Sequence, residues 1–297
     1  MAESFAHRWG QIIGNVLQES LRKSLQKVAR RHGLYLDSHG ARAARPGKKV
    51  IWQDRQGNTH DLDYVLERGG TDAARGLPAA FIETAWRRYT KHSRNKAQEV
   101  QGAVLALAET YSHLRPFLGI VLAGVFTKGS LDQLRSCGFA VGYLSYAAIV
   151  GAFAAVGIDA SFDEQTTEVE FRTKVQRYQA LTAAQRTTLI HALMKPAKDP
   201  KGQASADALS MTQFMAALEA SLSRGVQGVT VVVLHGLPQQ MPSVAQAIQY
   251  LQNYDECQPS PATAAKYGVD LRYNNGDVIH GMFQEKGEAI RFLQTFT

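Results

Sequence analysis

The run FLGIVLAGVF at residues 117–126 constrains the fold more than any other segment of the chain. It is short, continuous, apolar and rich in Val and Ile, the pattern of a strand buried on both faces in a parallel or mixed sheet covered by helices. The segments around it agree. Ahead of it, VIWQD and THDLDYVLE alternate about a turn at RQGN as a half-buried hairpin, and AAFIETAWRRY has the β-branched and aromatic density of a third strand. A helix then starts near His92 or Ser93, with Ser93 as candidate cap, and runs through SRNKAQEVQGAVLALAETY. After it come a short helix in SLDQLRSCG and a strand in FAVGYLSY.

Residues 10–31 open the chain with an amphipathic helix, because Ile12, Ile13, Val16, Leu17, Leu21, Leu25 and Val28 fall on one helical face. The order helix, three strands, helix, strand, helix, strand predicts a three-layered α/β fold with a mixed central sheet flanked by helices. Between the first helix and the hairpin, glycines and Pro46 break the pattern around the basic stretch ARAARPGKK, which reads as a solvated loop. The stretch from residue 137 to 158 carries no charge, and its 22 residues match a membrane span in length. Its glycines, with an alternating first half and a helical second half, favour a buried strand followed by a packed helix, so no membrane partner is expected.

Beyond residue 158 the chain reads as charged helices up to about Met194, and KPAKDPKGQAS is the best linker. A helix at 208–223, the strand VTVVVLHG, the helix SVAQAIQYLQNY, the hairpin VDLRYNNGDVIHGMF and a last helix follow. Asn275 and Gly276 accept the positive φ of a type I′ turn in that hairpin. The expected organisation is a core at 1–160, a helical segment and linker at 161–205, and a smaller C-terminal α/β region at 206–297 serving dimerisation or target recognition.

Composition narrows the setting. An apolar content of 45% supports a substantial core, and 33 Lys and Arg against 26 Asp and Glu, a net charge of +7, suit a polyanionic partner. Cys137 and Cys257 lie far apart and lack neighbours at zinc-ligand spacing, so a reduced, cytoplasmic setting is expected. The sequence contains no P-loop, dinucleotide fingerprint, HExxH or nucleophile elbow. Isolated histidines such as His113, His191 and His235 read as structural, with His235, at a strand end, the one to watch.

The chemistry-bearing candidates are Asp63 and Glu83. Each interrupts an apolar strand, LDYVL and AFIETAW, where an uncompensated buried charge costs several kcal/mol, so burial calls for a ligand or a cation. Neighbouring strands lie about 4.8 Å apart, close enough for two carboxylates at matching heights to share one hard cation that polarises a phosphate and activates water. Asp61, one period-two step from Asp63, is the rival first ligand. The basic cluster Arg87, Arg88, Lys91, His92, Arg94 and Lys96, interleaved with Trp86 and Tyr89, reads as a phosphate-gripping rim, and as a solvated helix start in the alternative.

The strand order, Asp63, the 20-residue step to Glu83 in FIETAW and the basic stretch RRYTKHSRNKAQE leading into a helix together resemble the catalytic core of the PD-(D/E)XK, restriction-endonuclease-like nucleases. The resemblance covers roughly residues 10–150. It implies an endonuclease that hydrolyses phosphodiester bonds of double-stranded DNA with Mg²⁺ held by Asp63 and Glu83, in a restriction or phage-defence role, and a symmetric homodimer to cut both strands. The family carries a lysine two residues after the acidic strand residue, and here that position is Ala85. Lys96 is the candidate replacement, with Lys91 and Arg87 as rivals, and Arg87, Arg88, Lys91 and Arg94 are the candidate DNA contacts. The alternative is a subunit that keeps the nuclease fold as a DNA-binding or scaffold part without activity.

Overall fold

The computed structural model describes residues 4–90, 93–195, 208–233, 236–256, 266–274 and 276–296, with the backbone alone of Ser93 and Arg94. The chain divides into two compact units, one formed by Met1–Thr110 with Pro116–Glu219 and one by Tyr111–Arg115 with Ala220–Thr297.

The first unit is built on a five-stranded mixed sheet. It opens with α1 (Phe5–Arg31), capped by the Ser4 hydroxyl, which accepts from the His7 amide at 3.2 Å. Its buried face carries the apolar positions read from the sequence, and Trp9 besides. Strands β1 (Leu34–Ser38), β2 (Val50–Gln53), β3 (Thr59–Leu62), β4 (Tyr64–Arg68) and β5 (Leu77–Arg87) follow. Then come α2 (Ser93–Thr110), β6 (Phe117–Gly124), α3 (Lys128–Ser136), β7 (Ala140–Ser145) and α4 (Tyr146–Ala154), with α5 (Glu168–Gln179) and α6 (Ala183–Met194) after them. The sheet order is β1-β4-β5-β6-β7, antiparallel through β5 and parallel from β5 to β7, while β2 and β3 pair separately as a hairpin. Helices α1, α4, α5 and α6 pack together against the sheet, and α2 and α3 pack against each other beside β5 and β7.

The run at 117–126 becomes β6, whose Ile120, Val121 and Leu122 are fully buried between two parallel neighbours. The uncharged stretch divides into β7 and the nine-residue α4, and among the described residues no helix is long and apolar enough to cross a membrane. Gly119 and Gly142, on adjacent strands, make room for the ring of Phe214 from α7 (Met211–Leu222), since a Cβ there would lie 2.9 and 3.3 Å from it.

Three sequence expectations need correction. THDLDYVLE is not one strand: β3 and β4 are separated by Asp63, which sits at the bend where the chain leaves the hairpin to join the main sheet. The other neighbour of β4 is β1, over residues to which the sequence reading assigned no element. ARAARPGKK is a loop exposed at most positions but not solvated throughout, because Arg42 and Arg45 are buried beside Asp37 and Glu67. Arg42 forks onto the Glu67 carboxylate at 2.6 and 2.9 Å and lies 2.8 Å from Asp37, which also accepts from Arg45 at 3.0 Å. Hydrogen bonding to Glu67, joined by Asp37, outweighs the opposing effect of burial and sets the Arg42 guanidinium further above its already high value. Removing one partner from such a buried network costs about 3–5 kcal/mol, because it strands the opposite charge. The network clamps the end of β1, where Ser38 pairs with Tyr64, and so fixes the chain beside Asp63.

Helices α5 and α6, which the sequence reading set apart at 161–205, pack on α1 within the first unit, and the linker residues 196–205 lie outside the described residues. The second unit carries a four-stranded antiparallel sheet, β11-β10-β8-β9, formed by β8 (Val226–Val233), β9 (Gln239–Met241), β10 (Tyr267–Tyr273) and β11 (Val278–Phe283). Helices α8 (Val244–Asn253) and α9 (Lys286–Gln294) pack on it over a core that includes Val231, Leu251, Val269, Leu271 and Leu293. Gly276 has the positive φ, 88°, that the hairpin turn requires, while Asn275 and His235 lie outside the described residues. Cys137 is a free thiol, and Cys257 is likewise outside them.

Candidate functional site

Strand pairing brings the two carboxylates together. Tyr64 on β4 lies opposite Ile82 on β5, so the next pair out is Asp63 and Glu83. The Asp63 amide donates to Glu83 Oε1 at 3.0 Å, tying the bend to the strand through the acid itself. Asp63 Oδ2 accepts from the Thr84 amide at 2.8 Å and the Thr84 hydroxyl at 2.5 Å, and Oδ1 accepts from Gln18 Nε2 of α1 at 3.0 Å. Glu83 Oε2 makes no hydrogen bond among the described residues.

These groups line a cleft of about 690 Å³. Its walls are the α1 face with Asn15, Gln18, Glu19 and Arg22, the β1 end with Ser38 and His39, the hairpin side with Lys49 and Asp61, and Lys96 with Glu99 from α2. Glu83 is only 8% exposed. Burial, then the neighbouring Asp63 charge, pushes its carboxyl up to about 8, and burial also raises Asp63. Lys96, lining the same cleft, offsets part of both shifts. Lys96 is held by Glu99 at 2.7 Å, one helical step away.

The structure therefore gathers Asp63, Glu83 and Lys96 in one cleft. Asp61, the rival ligand, is on its rim and paired with Lys49 at 2.7 Å. Ala85 is buried in β5. Arg87 and Arg88 are not among the cleft's lining residues. Arg87 donates to its neighbour's carbonyl, Trp86 O, at 2.8 Å. Arg88 donates twice to Phe162 O, at 2.9 and 2.7 Å, with its guanidinium 4.0 Å from the Tyr146 ring centroid, so it serves the chain's own packing. Lys91 and the side chains of Ser93 and Arg94 lie outside the described residues.

Sequence reasoning missed Gln18, Arg22 and Thr84. Gln18 and Arg22 sit on the polar side of an amphipathic helix, where nothing local separates a site residue from a solvated one. Thr84 was legible in principle as a hydroxyl in an apolar strand next to the acid.

A metal ion can be tested against this donor set. No group of three or more His, Cys, Asp or Glu able to hold a metal ion occurs among the described residues. Two carboxylates suit Mg²⁺, which usually keeps several waters and takes one or two protein carboxylates plus substrate oxygens. Each bonded oxygen retains a second lone pair. The raised Glu83 carboxyl marks a place that lacks a compensating cation, and a divalent ion supplies one.

The same shift predicts a stability signature. The folded Glu83 carboxyl, at about 8, holds its proton more tightly than an ordinary one at 4.5, so between those values the native state keeps a proton the unfolded chain has lost. Stability of the metal-free protein therefore falls as pH rises through that window, by about 1.36 kcal/mol per unit of displacement at most. Glu83→Gln is expected to remove this slope and to raise the melting temperature by several degrees at pH 8, at roughly 2–4 °C per kcal/mol, with no gain near pH 4. Thermal melts in chelator across pH 4–9 check this; a Gln variant less stable than the parent at pH 8 would make Glu83 a structural acid.

Comparison with protein-family models, with curated proteins and with solved structures finds no match to this chain.

Proposed function

We propose that the chain is a Mg²⁺-dependent endonuclease of the PD-(D/E)XK, restriction-endonuclease-like class that hydrolyses phosphodiester bonds of double-stranded DNA. The observation that carries this reading is the meeting of Asp63, Glu83 and Lys96 in one cleft, a buried and a half-buried carboxylate joined through the Asp63 amide, with the Lys96 ammonium lining the same space. The mixed sheet, with Glu83 on β5, Asp63 at the bend that leads into the neighbouring β4 and the lysine on the helix that follows β5, supports it.

Asp63 and Glu83 would hold the metal, which when bound polarises a phosphate oxygen and lowers the pKa of an attacking water. Gln18 and Thr84 fix the Asp63 carboxylate before substrate arrives, so little reorganisation is left for the reaction. Glu83 gives up its proton as a cation enters, which couples ligand binding to its ionisation. Lys96 would balance charge growing on the phosphate oxygens, in the role the family gives to the lysine absent at Ala85. Its pairing with exposed Glu99 is a surface contact worth about 0–1 kcal/mol, weak enough to yield to a phosphate. Cutting both strands would call for a symmetric homodimer, and a DNA substrate for a cytoplasmic setting.

The test is cleavage of a panel of DNA duplexes. Cutting is expected with Mg²⁺ or Mn²⁺ and not with Ca²⁺, whose looser coordination supports binding without chemistry. Full activity in chelator overturns the metal reading. The second reading, a nuclease-fold subunit without activity, is favoured by Ala85 and would be selected by DNA binding without cleavage in any metal.

A further inference from the structure

The cations around the cleft are not equivalent. Lys49 is tied to Asp61 and Lys96 to Glu99, each at 2.7 Å. Arg22 also lines the cleft, is exposed, and makes no hydrogen bond or ion pair among the described residues. It stands on α1 with Asn15 and Gln18 at spacings of three, four and seven, which puts all three on one helical face. That face is anchored to the metal-binding end of the cleft twice: Gln18 Nε2 donates to Asp63 Oδ1 at 3.0 Å, and the Tyr64 hydroxyl donates to Gln18 O at 2.7 Å. Arg22 is one turn further on, about 6 Å along the helix axis.

A guanidinium that lacks a carboxylate partner, on a wall fixed to the reacting end, is matched to an anion that the substrate brings. Its planar fork fits two phosphate oxygens at once, which an ammonium does not. We infer that the polar face of α1 is the wall along which the substrate's phosphodiester backbone runs, with Arg22 gripping a phosphate adjacent to the scissile one. This rests on the nuclease reading of the site. It moves the principal backbone contact from the basic cluster after β5, where Arg88 is spent on Phe162 O, to the helix that opens the chain, with Arg22 lying 66 residues before Arg88.

The experiment is a set of anisotropy titrations of a labelled DNA duplex in Ca²⁺ over a range of salt, paired with steady-state cleavage in Mg²⁺. Arg22→Ala is expected to lower the slope of log K against log salt by about 0.9, the loss of one phosphate contact. It should raise KM about tenfold with little change in kcat, since the contact is made in ground and transition states alike. Arg22→Lys should restore the slope, because the charge is kept, but only part of KM. Lys128→Ala, which removes an equal charge from the exposed Lys128–Asp132 pair on α3, should leave both unchanged. An Arg22→Ala enzyme with the parent's slope and KM overturns the inference while leaving the nuclease reading intact. A protein that never cuts but binds the duplex with an Arg22-dependent slope upholds the wall and sinks the enzyme; absence of duplex binding sinks both.

Discussion

Replacing Asp63 or Glu83 by alanine is expected to reduce metal-dependent cleavage by roughly 1,000-fold or more, the equivalent of several kcal/mol of lost charge stabilisation. Each change removes half of the protein's share of the proposed two-carboxylate metal site. Neither touches the apolar packing beneath it, since Ile82 and Phe81 on β5 and Tyr64 and Val65 on β4 stay in place. The two losses should differ in their effect on the fold. Asp63 is the acceptor for Thr84 and Gln18, so its removal leaves donors unanswered at about 1–3 kcal/mol apiece where they are buried. Glu83 burdens the metal-free fold, so its removal is milder, offset by relief of a carboxyl that burial holds near 8. Cleavage rates read beside thermal melts and far-ultraviolet dichroism check both expectations. If both variants fail to fold, the pair is structural; if both fold and still cut, the metal site lies elsewhere.

Lys96→Ala is expected to slow cleavage by about 100- to 1,000-fold, roughly 2.7 to 4 kcal/mol, with a much smaller effect on DNA affinity. The physical reason is that charge on the phosphate oxygens grows in the transition state, so a preorganised ammonium is worth most there. Lys96 lies in the first turn of α2, immediately after β5 delivers Glu83, and it lines the same cleft. Single-turnover rates at saturating enzyme, with affinity measured separately in Ca²⁺, separate the two effects. A loss confined to affinity would make Lys96 a backbone contact like Arg22. Should Lys91→Ala abolish the rate and Lys96→Ala spare it, the cation comes from the segment ahead of α2. An active enzyme indifferent to both changes would end the idea that a lysine has moved from the position of Ala85 to the helix.

These predictions lean on features that differ in how far the sequence exposes them. Strong periodicity was enough for α1, for β6 and for the division of the uncharged stretch into β7 and α4, because burial on one face or both writes itself into adjacent residues. Glu83 was legible for the same reason: a charge inside an apolar strand is a local contradiction that only a partner resolves. Asp63 drew notice on the same argument, although it lies at a bend between two strands. Lys96 was legible more weakly, as one cation among several near the start of a helix.

Local pattern on its own determined the mixed α/β class, the helices and the longer strands but not β1, β9 or the break between β3 and β4, and which acids have to be explained. Tertiary structure alone decided the rest. It bent the chain at Asp63, so that the acid leaves the hairpin and faces Glu83 across β4 and β5. It took Arg42 and Arg45 out of an apparent surface loop, because Asp37 at the end of β1 answers both charges and Glu67 in β4, 25 residues after Arg42, answers Arg42 as well. It spent Arg88 on a carbonyl 74 residues away and left Arg22 facing the cleft. Charged side chains read alike in a sequence. What separates a buried clamp, a packing contact and a substrate-facing cation is the partner each one meets, and partners distant along the chain are brought within reach only when the sheet and helices assemble.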